Sequence, residues 1–111
     1  MRLPPRSLAL LIGLLGLAAA ARADEDPRSF VQFVEEHAGQ CVMRGGVQIL
    51  VRSSHPRRTI KVWLDRYVSG VGTGDRSRSQ LAPGGEAEAL GCSRNSDAAQ
   101  EWRIVRAEFV D

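Results

Sequence analysis

Arg76 and Arg78 stand two apart in the stretch GTGDRSRSQ, residues 72–80, and residues two apart in an extended segment point to the same side. Two guanidinium groups placed in this way can grip a carboxylate or phosphate, with Ser77 or Ser79 adding hydroxyl donors. Gly70, Gly72 and Gly74 imitate a phosphate cradle. Such a cradle needs a strand before it and a helix after it, whereas Pro83, Gly84 and Gly85 follow here. The stretch has no aliphatic or aromatic residue, so it reads first as a solvated connection between strands, with Asp75 neutralising one arginine, and second as a docking loop.

Lys61, Trp63, Asp65 and Tyr67 form a second group, in which two aromatics alternate with two charges. Aromatics with polar tips serve protein interfaces and sugar-stacking sites. They also serve as an apolar landing place for another element of the same chain. Both readings stay open for Trp63 and Tyr67.

Catalytic chemistry finds little support. Acyl transfer needs a nucleophile with a base in reach, and the only histidines are His37 and His55, with no G-x-S-x-G elbow. Two isolated histidines without H-x-H, H-x-x-x-H or a nearby Cys pair do not make a zinc site. Cys41 with Met43 would favour copper(I), but a disulfide removes Cys41 from that role. Glu35 with Glu36 and Glu86 with Glu88 are short acidic pairs of the kind that hydrolyse glycosides when burial raises one pKa; both read as solvated. The sequence therefore predicts no enzyme, no metal and no cofactor.

The elements that position these residues begin with a leader. MRLPPR supplies Arg2 and Arg6, and an uncharged run of fourteen residues from Leu8 to Ala21 follows. It is shorter than the roughly 20 residues that cross a bilayer as a helix. Ala21 and Ala23 suit a signal peptidase, which places cleavage after Ala23. Three of the fifteen basic residues, Arg2, Arg6 and Arg22, leave with the leader, so twelve cations face thirteen acids and the net charge falls from +2 to −1. The positive excess that nucleic-acid binding needs is gone. Cys41 and Cys92, an even count in an exported chain, read as one disulfide.

In DEDPRSFVQFVEEHAGQ, Asp26 suits a helix cap, Pro27 the first helical position and Gly39 the end, while Phe30, Phe33, Val34 and His37 recur at helical spacing. A short amphipathic helix is predicted, its stripe packing on a sheet that offers Trp63 and Tyr67. From Cys41 onward the period is that of strands. Predicted strands are VQILVRS, TIKVWLDRYVS, EAEALGCS and QEWRIVRAEFV. SHPRR is a predicted hairpin loop, and Gly45 and Gly46 mark either a tight turn after a short strand at Cys41–Arg44 or a bulge within one long strand. Trp102 and Ile104 fall on one face of the last strand and Val105, Ala107 and Phe109 on the other, which predicts a central strand covered on both faces.

LAPGGEAEAL, a Leu-x-Pro-Gly corner leading into a strand, resembles the corners of immunoglobulin-like accessory domains of exported proteins, and the whole chain resembles small, uncharacterised exported proteins of bacteria. The family pattern would place a tyrosine where Leu90 stands, two residues before the second cysteine.

The reading is a mainly β protein: a small β-sandwich of five to six strands, one short N-terminal amphipathic helix and one disulfide. Residues 1–23 are the cleaved signal peptide, 24–40 an acidic segment with the helix, and 41–111 the sandwich. The expected function is that of a periplasmic or secreted binding or accessory module. It would contact another exported or envelope protein non-covalently through Trp63, Tyr67, Arg76 and Arg78, without nucleic acid and without stable membrane insertion. A carbohydrate or small anionic ligand is the alternative partner.

Overall fold

The computed structural model describes residues 25–110, so the leader and its cleavage site lie outside the described residues. Seven strands are described: β1 (Val31–Glu36), β2 (Gln48–Ser53), β3 (Ile60–Val68), β4 (Val71–Leu81), β5 (Glu88–Cys92), β6 (Arg94–Asn95) and β7 (Ala98–Phe109). They make two antiparallel sheets, ordered β1-β2-β5 and β4-β3-β7-β6. In β3 the alternation is that of the sequence: Ile60, Val62 and Leu64 are fully buried, and Lys61, Trp63 and Asp65 lie half-buried on the opposite face. Val51 of β2 and Leu81 of β4 complete the buried cluster, with Val31, Leu90, Trp102, Ile104 and Ala107 packed against it. Residues of both sheets thus share one core.

The N-terminal helix is not formed. Asp26 does cap, its carboxylate accepting from the Arg28 N–H at 3.0 Å, but the helix is a single 3-10 turn over Pro27–Phe30. The chain then enters β1, paired with β2 from Val31 opposite Ser53 to Glu36 opposite Gln48. The apolar residues of FVQFVEE keep the helical spacing, but an isolated helix of this length is marginal in water. Pairing with β2 satisfies its backbone and suits its Phe and Val residues, so the strand wins. Val31–Glu36 therefore belong to the three-stranded sheet rather than lying on a β body as a helix.

Neither a strand nor a bulge forms at Cys41–Arg44. A short helix, α1 (Gly39–Met43), stands there. Gly45, at φ +81°, closes it: its N–H donates to the Val42 carbonyl and the Gly46 N–H to that of Cys41, the paired bonds of a glycine-terminated helix end. The disulfide forms as expected between Cys41 and Cys92, Cα atoms 5.2 Å apart, fastening α1 to the end of β5.

SHPRR is not a hairpin loop, because β2 and β3 lie in different sheets. His55 holds this crossing. It is 3% exposed, its Nδ1 accepts the N–H groups of Arg57 and Arg58 at 3.1 and 2.9 Å, and its ring lies edge-on to Phe30 and Phe109 at 4.6 and 5.2 Å. With Nδ1 accepting, Nε2 carries the proton toward Glu25 at 3.3 Å.

Residues 72–80 are not a connecting loop but most of β4, which turns back from β3 through Ser69 and Gly70, both at positive φ, and pairs it as far as Leu81 opposite Ile60. An edge strand tolerates polar residues on both faces, which is why the absence of apolar residues did not prevent a strand.

Last, β7 does lie between β3 and β6 in strand order, but it is not covered on both faces. Arg106 opposes Trp63 and Ile104 opposes Leu64, so Val105 is an extra residue. That bulge inverts the alternation and brings Trp102, Ile104, Ala107 and Phe109 to the core side together. The Val105 carbonyl accepts a hydrogen bond from the Arg28 guanidinium at 2.7 Å.

Candidate functional site

The four candidate residues Trp63, Tyr67, Arg76 and Arg78 lie on adjacent strands, and the register sets Trp63 directly opposite Arg78 and Asp65 opposite Arg76. All are on the face of the four-stranded sheet turned away from Val62 and Leu64. From the other side β7 adds Arg106 opposite Trp63 and Arg103 opposite Asp65. No described segment lies on this face as a helix, so the landing-place reading of Trp63 and Tyr67 loses its occupant.

What half-buries the aromatics is cations. Lys61 Nζ sits 5.1 Å and Arg106 Cζ 4.8 Å from the Trp63 ring centre, and Arg103 Cζ lies 3.9 Å from that of Tyr67. Such contacts are worth about 0.5–1 kcal/mol at exposed positions. Most of the cations are also paired: Arg76 donates to both Asp65 carboxylate oxygens at 2.7 and 3.0 Å, Arg103 to Glu101 at 2.6 Å and Arg106 to Glu108 at 2.8 Å. The fork of Arg76 holds the Asp65 carboxyl below the ordinary carboxylate range, and Asp65 in turn raises Arg76. Arg103 is likewise raised by its bond to Glu101. Arg78 differs: its guanidinium forms no hydrogen bond or ion pair among the described residues.

The pair Arg76 and Arg78 is therefore not an empty bidentate grip. One guanidinium is engaged with Asp65, and the other stands free beside an indole. Their serines point the opposite way: Ser77 opposes Leu64 and Ser79 opposes Val62, so both hydroxyls turn to the core side and add nothing to the arginine face.

On that side lies a groove of about 360 Å³ between β4 and β5, each of which pairs on one edge only among the described residues. Leu90 and Trp102 meet Ser77, Ser79 and Glu88 there, and Arg66 stands at one end, its guanidinium bonded to Asp75 at 2.6 Å and Gln100 at 2.8 Å. The sequence reading missed this groove and missed Arg103 and Arg106. The spacing of those two places them on opposite sides of a regular strand, and only the Val105 bulge aligns them. Trp102 carried a signal in its size, but its position depends on the same bulge.

The acidic pairs and histidines stand apart from both surfaces, apart from Glu88 on the groove rim. Glu35, Glu36 and His37 are exposed, and His55 is engaged as described. Met43 is 87% exposed and Cys41 is in the disulfide. Among the described residues no three His, Cys, Asp or Glu side chains gather as a metal site, and no helix is long and apolar enough to cross a membrane. No protein family, curated protein or solved structure matches the chain.

Proposed function

We propose that this chain is an exported β-sandwich module that binds another exported or envelope protein non-covalently and performs no catalysis. The outer face of the four-stranded sheet is the contact surface. The supporting observation is that Trp63, Tyr67, Arg76 and Arg78, selected for their chemistry alone, share one face on which no described helix lies. Trp63 supplies the rigid contact area, its flanking cations hold its orientation, and Arg78 brings a guanidinium with no partner among the described residues. The disulfide fits an oxidising compartment.

A second reading follows from Arg78 beside the indole: a ring with an attached anion, such as an acidic sugar, would stack on Trp63 and meet Arg78. The test is crosslinked co-purification of the tagged chain from its own host, beside Trp63→Ala and Arg78→Ala variants first shown to unfold at the same temperature. One protein retained by the native chain and lost from both variants supports the proposal. Retention by both variants removes it, and indole fluorescence that changes with acidic sugars but not with that protein transfers the face to the second reading.

A further inference from the structure

The unpaired edge of β4 is a separate surface, and it has an uncommon form. It runs over Val71–Leu81, is exposed from Val71 to Arg78, and carries the backbone donors and acceptors of a strand that, among the described residues, pairs only with β3. Its inward row, Ser77 and Ser79, borders the groove floored by Leu90 and Trp102. Its outward row holds Arg76 and Arg78, which border the same groove but by register, opposite Asp65 and Trp63, direct their side chains to the other face.

We infer that β4 accepts an extended segment of a partner protein as an additional strand, in which acidic residues alternate with aliphatic ones. The alternation of a strand fixes the chemistry on each side. Inward side chains of the added strand enter the groove over Leu90 and Trp102, where aliphatic groups leave water. Outward side chains come opposite Arg76 and Arg78, where a carboxylate finds the guanidinium of Arg78 free and that of Arg76 shared with Asp65. A second copy of the chain is the wrong occupant. In antiparallel self-pairing centred on Arg76, Ser77 or Arg78, one arginine meets itself or the other, and like charges directly opposite are destabilising.

The test uses the folded, oxidised chain with two short synthetic peptides, one alternating Glu and Val, the other Lys and Val. Hydrogen exchange of the β4 amides is followed by NMR. The Glu–Val peptide slows every second amide between residues 76 and 80 by about tenfold or more, and the Lys–Val peptide does not. Arg78→Glu, a change at a side chain with no partner among the described residues, reverses that preference, while Trp63→Ala leaves it intact. Protection by neither peptide, or equally by both, overturns the inference and leaves the arginines as guards of a single edge. Peptide-induced shifts confined to Trp63 and Tyr67 overturn it also, while favouring the outer-face contact, so the two proposals fail separately.

Discussion

Trp63 is half-buried with no described helix lying on it, and Lys61 and Arg106 lay their cations beside its ring. An amphipathic side chain of this kind can cover apolar surface while its charge stays in water, so exposure alone does not measure how available an aromatic is. Asp65 is the anion at the centre of the same face, and its two bonds to Arg76 carry a pH signature. Its folded-state pKa lies below its ordinary value, so the stability it contributes is present above the ordinary aspartate pKa of about 4 and is lost as pH falls through the lower, folded value. Asp65→Asn should therefore lower the melting temperature modestly at pH 7, by the small amount expected of a solvent-exposed pair. The difference from the native chain should shrink toward zero at about pH 2. Thermal melts of both proteins across pH 2–7 check this; an undiminished difference in acid would mean that the side chain acts through packing or geometry instead.

At the scale of the element, two irregularities do more than the regular strands to place side chains. The Val105 bulge turns two apolar series that a regular strand would set back to back into one core-facing row, and it aligns Arg103 with Arg106 outside. The counterpart in β5 is an irregularity opposite Ile49 and Leu50, beside Gly91. Gly91 has φ +153°, and a Cβ built there would stand 3.0 Å from the Trp102 ring. The indole that floors the groove therefore needs a glycine beneath it. Gly91→Ala should cost about 1–3 kcal/mol through overpacking and backbone strain. Gly39→Ala, with nothing within 4 Å of its Cβ position, should stay within about 0.5 kcal/mol of the native chain. Urea unfolding midpoints of the two variants decide it, and equal midpoints would mean that Trp102 has room to move.

Across the whole molecule, a small domain with a core of few fully buried side chains depends on its crosslink. Cys41 and Cys92 are 51 residues apart, and closing a loop of that length in the unfolded chain is worth roughly 4 kcal/mol in the chain-entropy description. The Cys41→Ser, Cys92→Ser double variant should lose about that much in urea unfolding, and a loss of under about 1 kcal/mol would place the stability in the sheets alone. Much of this architecture was legible in the residues. The alternation of β3, the locations of β2, β5 and β7, the disulfide and the shared direction of Arg76 and Arg78 all follow from local period and chemistry, which a single strand expresses by itself. Other features were settled only between segments distant in sequence. FVQFVEE spaces its apolar residues as a helix does, and pairing with β2 overrode that local period. GTGDRSRSQ lacks the apolar residues that mark a strand, yet β3 offered an edge whose backbone groups it could satisfy. Which face each residue of β7 takes depends on one extra residue in register against β3, and the groove exists only because the edges of two different sheets meet over Trp102. Side-chain type and spacing are properties of the sequence, whereas register and edges are properties of pairing, and pairing is set by the tertiary structure.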